Sequence, residues 1–418
     1  MTARALGLFE AVGLELEYMI VAADSLSVLP VADEVLRAAA GEIVSEVEMG
    51  RLSWSNELCL HVIELKTNGP APDLKGLAAA FATDVSRINA ILAPLGGRLM
   101  PGGAHPLMEP ARETRLWNHE YSPVYEAYNR IFNCTGHGWS NLQSMHINLP
   151  FADDEQFGRL HAAIRLLLPI MPALAASTPM LDARPTGFMD SRLAVYRTNS
   201  SRVPSVTGLV VPEPVFTRAD YERVILAPIY ADIAPLDPEG ILQHEWLNSR
   251  GAIARFERDT IEIRVLDMQE RPAADLAVAA LVTATLQALC REQFGSFASQ
   301  RQWEVAPLAE LFLRCARDAD NALIADPHYA RALGYPGSLP CTALDLWRHL
   351  AGVVQPLPDG LEEAVQVILE QGCLARRITT ALGPEPDTTR VLDICERLCV
   401  CLRDNEPFFG APSHARRP

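Results

Sequence analysis

Two carboxylates stand one residue apart in the stretch Gly13-Leu14-Glu15-Leu16-Glu17-Tyr18-Met19-Ile20. Successive side chains of a β-strand point to opposite faces, so Glu15 and Glu17 share one face while Leu14, Leu16, Tyr18 and Ile20 share the other. Like charges this close on a sheet repel, and strand propensity gives Glu nothing in return, so a cation is the natural compensating partner. Hard oxygen ligands at this spacing suit Mg2+ or Mn2+. Taken alone, the same pattern also fits a strand with a merely acidic outer face. Two later segments repeat the construction. In Leu142 to Leu149, Ser144, His146 and Asn148 oppose Gln143, Met145, Ile147 and Leu149, and His146 fits either a ligand or a satisfied structural residue. In Thr260 to Asp267, Glu262 and Arg264 share a face opposite Ile261, Ile263 and Val265.

Cationic chemistry gathers in Arg184 to Pro204, an irregular segment carrying Arg184, Arg192, Tyr196, Arg197 and Arg202. Arginine binds phosphate and carboxylate groups bidentately, although a solvated loop reads the same way. The passage Gly102-Gly103-Ala104-His105-Pro106 is either a close turn presenting His105 or a plain surface loop. No G-x-x-x-x-G-K-[ST] loop occurs, so phosphate binding by a P-loop is not expected.

The elements that must position these residues alternate in period. After the first strand, the pattern predicts a helix over Val31 to Ala40 and strands over Glu42 to Glu48 and Glu57 to Lys66, the last ending at the turn Thr67-Asn68-Gly69-Pro70. Asp73 to Ala93 reads as a helix with Leu74, Leu77, Phe81, Val85, Ile88 and Leu92 at three- and four-residue spacing. Phe157 to Ala176 reads as an apolar helix broken near Pro169 and Pro172, and Ala252 to Glu257 forms a hairpin with Thr260 to Asp267 across Arg258-Asp259. Beyond Arg271-Pro272 the chain reads as helices alone: Ala273 to Phe294, Pro307 to Ile324, Thr342 to Val353, Gly360 to Leu382 and Thr388 to Arg403. Strands interleaved with helices, then helices, indicate an α+β fold with a mainly antiparallel sheet backed by helices.

Composition narrows the partners. The chain has 418 residues, 49% hydrophobic, enough for a large core, and no low-complexity linker marks a boundary. With 36 Lys+Arg against 52 Asp+Glu, the net charge of −16 argues against nucleic acid or an anionic membrane and for a small-molecule substrate. The nine cysteines include no CxxC pair and read as small buried hydrophobes. The N-terminal apolar stretch is interrupted by Glu10, Glu15 and Glu17, and the run around Leu276 to Cys290 is short for a membrane span, so a soluble, cytoplasmic protein is expected.

Four motifs then occur in the order found in glutamate–cysteine ligases: Gly13 to Glu17; Glu57 seven residues before Glu64 in Val62-Ile63-Glu64-Leu65-Lys66-Thr67; Met145-His146-Ile147-Asn148; and Ile261 to Asp267. The chain resembles the second bacterial group of that family, carboxylate–amine ligases related to glutamine synthetase and guanidino kinases. Gly102 to Pro106 is similar to that group's Gly-Thr-His-Pro passage, with Ala104 in place of Thr, and the resemblance runs over residues 7–275. It implies one catalytic domain over 1–418, with 273–405 a helical portion packed on it. It further implies a concave antiparallel sheet whose polar face holds Mg2+ (or Mn2+) around ATP. Carried over position by position, Glu15, Glu17, Glu57, Glu64, His146 and Glu262 become candidate metal ligands. Arg264 becomes the candidate phosphate contact. Apart from that carry-over, Arg192 and Arg197 of the Arg184 to Pro204 segment are further catalytic candidates, and His105 and Tyr196 candidate nucleotide contacts. One point resists: Glu57 and Glu64 have opposite parity, so either Glu57 precedes the strand or a bulge intervenes. The implied activity joins glutamate, or a similar carboxylate, to an amine; a phosphotransferase or a non-catalytic descendant on the same scaffold are the alternatives. The acceptor amine is not legible, and a homo-oligomer stays open.

Overall fold

Eight strands, β1 (Gly13–Ala22), β2 (Glu46–Glu48), β3 (Leu52–Asn56), β4 (Val62–Thr67), β5 (Gly97–Met100), β6 (Ser144–Pro150), β7 (Ala252–Arg255) and β8 (Thr260–Asp267), form one sheet in the order β2-β3-β4-β1-β6-β8-β7. The computed structural model describes residues 5–354, 357–358 and 360–410. Every pairing is antiparallel, and β5 joins the C-terminal half of β1 (Met19↔Met100) on the edge that β6 occupies further back (Glu15↔His146).

The two faces of the sheet are those read from alternation. Leu14, Leu16, Tyr18 and Ile20 are fully buried, in one core with Ile63, Leu65, Met145, Ile147, Ile261 and Ile263 from neighbouring strands. Helix α1 (Ala32–Ala40) contributes Val35 and Leu36 to that core, and α2 (Leu77–Leu92) contributes Phe81, Val85, Ile88 and Leu92. Truncating such a fully buried side chain to Ala costs about 2–5 kcal/mol. Between the middle strands lie α3 (Ser122–Phe132), α4 (Asp154–Leu167) and α5 (Ser191–Tyr196). The long apolar helix α6 (Pro272–Cys290) follows, and 72% of it is buried inside the fold, as befits a core helix. The C-terminal helices α7 (Val305–Asp318), α8 (Ala343–Val353), α9 (Glu362–Gln371), α10 (Leu374–Leu382) and α11 (Thr388–Asp404) come next, and the largest core runs from Val12 to Leu402. All nine cysteines are free, seven of them buried.

Several expected boundaries shift. The strand expected over Glu57 to Lys66 is two strands: β3 ends at Asn56, the chain turns through Glu57 to His61, and β4 begins at Val62. The strand over Glu42 to Glu48 shortens to Glu46–Glu48. The helix expected over Gly360 to Leu382 breaks at Gly372, whose φ of 84° a continuous helix cannot hold. The helix over Pro307 to Ile324 ends at Asp318, after which Leu323–Ile324 pairs with Cys341–Thr342. The segment Arg184 to Pro204 is not wholly irregular: Asp190 accepts the Leu193 N–H at 2.8 Å and caps α5, which carries Arg192 and Tyr196.

One irregularity matters for the site. Ile263 pairs with Ile147, but Leu266 pairs with Met145, so β8 carries one extra residue between them. Beyond this bulge parity reverses, and Asp267 lies opposite Ser144 on the polar face.

Candidate active site

On that polar face β4, β1, β6 and β8 line a cleft of about 350 Å³. Glu15 and His146 are direct cross-strand neighbours, as are Glu17 and Glu64. The His146 Nδ1 lies 2.8 Å from Glu15 Oε2, and Asn148 donates to Glu15 Oε1 at 3.0 Å. Glu17 accepts the Ser144 backbone N–H at 2.6 Å, and the Ser144 hydroxyl sits 2.8 Å from His146 Nε2. Glu64 accepts from the Ser55 hydroxyl at 2.7 Å. Glu262 accepts from Arg255 at 3.2 Å, and its Oε1 lies 3.3 Å from Arg264 Nε and 3.9 Å from His146 Nδ1.

Two ligand sets overlap at the histidine: Glu15, His146 and Glu262, and Glu17, Glu64 and His146, each with candidate donor atoms within 4.8 Å of one another. Glu57, in the turn between β3 and β4, also lines the cleft, and its position ahead of the strand removes the parity conflict. Buried carboxylates facing one another are costly unless a cation intervenes. Hard oxygens with a single imidazole fit Mg2+ or Mn2+.

The remaining sequence candidates divide. Arg264 lines the cleft, and so does Tyr196. Arg192 lines it too, but it does not reach down from an irregular loop. It is buried in α5, with Nε 2.5 Å from Asp267 Oδ1, so its charge is committed to the floor of the site. Arg197 does not line the cleft: Arg192 and Tyr196, four apart, share the inward face of α5, and the next position turns out to solvent. His105 is also placed elsewhere, buried, its ring spanning the Leu26 carbonyl at 2.7 Å and the Leu107 N–H at 3.0 Å. The glycines before it do not serve to present it; a Cβ on Gly103 would come within 2.6 Å of the Asp267 carboxylate.

Other residues of the site were not singled out from sequence. Asp267 accepts from Ser177 N–H at 2.8 Å and from the Thr178 hydroxyl at 2.9 Å as well as from Arg192, tying the bulged strand to the layer beneath. Tyr125, Tyr128, Trp139 and Trp246 build an aromatic wall, with the Tyr128 and Trp139 rings 5.3 Å apart and Tyr128 and Trp246 5.9 Å apart. Lys66 follows Glu64 by two residues on the same face, which parity alone could have shown.

The cluster has a pH signature. Burial, then the charge of Glu15, carries the Glu64 carboxyl from its ordinary 4.5 to about 7, and burial followed by Glu64, Glu17 and Glu15 raises Glu57 well above its ordinary value. Burial opposes the charged form of Glu15, but the hydrogen bond and charge of His146 outweigh it and bring this carboxyl down to about 2. Burial likewise opposes the charged form of His146, and the Glu15 hydrogen bond with the Glu17 and Glu15 charges raises it nonetheless. A folded carboxyl held above its unfolded value keeps a proton the unfolded chain has released. The folded state therefore loses ground as pH climbs from 4.5 to about 7, by roughly 3 kcal/mol for Glu64 taken alone. His146 adds in the same direction, while the Glu15 contribution is present above 4.5 and lost only as pH falls toward 2. The metal-free protein is thus expected to melt at a lower temperature at about pH 7.5 than at about pH 5, and Glu64→Gln to flatten the difference. A melting temperature that climbs over this interval in the presence of EDTA would contradict the assignment.

The family model for glutamate–cysteine ligase family 2 matches residues 11–328. The chain belongs to that family. Membership makes it a ligase of the carboxylate–amine type, and the match extends past the 7–275 span of the motifs into the C-terminal helices. An uncharacterized protein of Archaeoglobus fulgidus is 30% identical over 92% of this chain and 97% of its own length. A Nocardia farcinica protein provisionally named glutamate–cysteine ligase 2-1 is 25% identical over 91% of each chain. In three dimensions the chain is similar to the glutamate–cysteine ligase of Francisella tularensis solved in complex with AMP, with a TM-score of 0.54 over 96% of this chain and 90% of that one. At 12% identity that likeness is one of fold, an α+β sheet with helices, as expected from the sequence.

Proposed function

We propose that this family member uses ATP to join the side-chain carboxylate of glutamate, or a similar carboxylate, to an amine through an acyl phosphate. What supports the reading is the convergence of Glu15, Glu17, Glu57, Glu64, His146 and Glu262 on one cleft beside Arg264. A carboxylate is a poor acyl donor; attack of its oxygen on the ATP γ-phosphorus releases ADP and leaves a mixed anhydride. An amine then attacks the carbonyl carbon, and inorganic phosphate and a proton leave as the amide forms. Mg2+ or Mn2+, held by the six side chains, would offset the charge that otherwise keeps an anionic nucleophile from the phosphates. Arg264, in the cleft beside Glu262, would stabilise the phosphoryl group in transfer with its planar fork, and Arg192 and Asp267 fix the strand beneath it. The aromatic wall offers apolar surface within the cleft for the non-reacting part of a substrate. The continuous core from Val12 to Leu402 supports one catalytic unit with the C-terminal helices as part of it; the substrates we propose are small molecules met in the cytoplasm.

Phosphate release measured with MgATP, glutamate and a panel of amines tests this directly. Release is expected only when carboxylate and amine are both present, with an amide detected by mass spectrometry. ADP formation that needs no amine and yields a stable phosphorylated product would replace the ligase reading with a phosphotransferase.

A further inference from the structure

The chain holds 36 lysines and arginines together, yet only Lys66 and Lys75 are lysine. Lys75 is exposed. Lys66 stands in the cleft, its Nζ 3.4 Å from Glu64 Oε1 and 2.8 Å from Glu46 Oε2 on β2, and lies across the strand from Glu15. A second cavity, of about 560 Å³, opens at the other end of the same polar face, walled by Val12, Gly13, Thr67, Gly69 and Pro70. Glu15, Lys66 and Arg258 border both cavities. The carboxylate cluster lies on one side of this junction, and on the other a chamber where Leu6, Val12 and Pro70 alternate with polar groups such as Asn68, Asn148 and Asp259.

We infer that Lys66 is a nucleotide-phosphate contact, shared between Glu46 and Glu64 in the metal-free site and turned toward a phosphate oxygen when a divalent cation takes Glu64. The inference rests on the ligase reading. A divalent cation on Glu64 offsets that carboxylate's hold on the ammonium and repels the ammonium at this distance. Glu46, on the half-exposed outer strand, keeps the end of the side chain over the junction. A nucleotide with its terminal phosphate over the carboxylates and its base in the second cavity must pass its phosphate chain between Lys66 and Arg258. Those phosphates otherwise face a wall of like charge. The residue type suits the exchange: an ammonium on a flexible stem can change partners, whereas an arginine fork would grip Glu64 bidentately.

Two lysines in the whole chain make the test clean. The protein is acetylated with a dilute amine-specific reagent, metal-free, with Mg2+, with MgADP, and with Mg2+ plus glutamate, and both lysines are followed by peptide mass spectrometry. MgADP is expected to slow labelling of Lys66 about tenfold while Lys75 serves as the unchanged control. Mg2+ alone should leave Lys66 at least as reactive as in the metal-free protein. Lys66→Met, with its fold checked by thermal melting, is expected to weaken MgADP binding about 10- to 100-fold in calorimetry, with partial rescue by Lys66→Arg. Tight MgADP binding that leaves Lys66 labelling unchanged overturns the inference while sparing the ligase reading, and so does equal shielding by glutamate without nucleotide. Failure of MgADP to bind at all removes both.

Discussion

Replacing Glu17 by glutamine is expected to leave the fold standing and lower turnover by about 10³-fold. The substitution keeps the shape and an oxygen acceptor for the Ser144 N–H, now 2.6 Å from the carboxylate, so the β1–β6 junction survives. What it removes is charge at one of the two overlapping ligand sets, where Glu17 faces Glu64 directly across the strand pair. Like charges so placed weaken the empty sheet, so the variant's melting temperature without metal should equal or exceed that of the parent. Its stabilisation by added Mg2+ should shrink, because binding to the folded state alone is what raises stability. Loss of catalysis with a firmer metal-free fold separates a ligand from a structural carboxylate. Parental phosphate release from Glu17→Gln at saturating Mg2+ would falsify the ligand assignment.

The parts of the site legible in the sequence are those governed by strand parity. Glu15, Glu17, His146 and Glu262 reach the cleft because their strands alternate apolar and polar side chains without interruption up to those residues. Parity fails where the backbone does. Asp267 reads as belonging to the apolar face of its strand, and one extra residue between Ile263 and Leu266 turns it to the polar face, where it anchors Arg192. Strand β3 is hard to read because Leu52-Ser53-Trp54-Ser55-Asn56 alternates correctly but lacks β-branched residues and ends in asparagine, so the turn holding Glu57 reads as part of the following strand. His105 and Arg197 show the converse limit: a motif fixes position along the chain, while side-chain direction depends on a hydrogen-bonded loop and a helical turn. The aromatic wall draws on α3, Trp139 and Trp246, segments joined only by tertiary packing. No local pattern announces it.

Arg264→Lys is expected to lower kcat by about 10²–10³-fold while the KM for ATP changes only a few-fold. The bulge that turns Asp267 to the polar face begins beside this residue, whose N–H bonds to the Gly251 carbonyl at 2.9 Å, and its side chain enters the cleft next to Glu262. Two roles compete for it. An ion pair with Glu262, Nε to Oε1 at 3.3 Å, would need only a cation, and lysine would supply one. A contact with the phosphoryl group in transfer needs the planar fork, because charge spreads over the equatorial oxygens as the bond to ADP lengthens. The geometry favours the second role: Arg255 already donates to Glu262 at 3.2 Å, so Glu262 keeps a cationic partner when Arg264 turns toward substrate. Lysine at 264 should therefore preserve folding and ground-state nucleotide binding and lose the part of binding that grows in the transition state. A protein that melts several degrees early yet turns over normally in the cold would assign Arg264 to the ion pair alone.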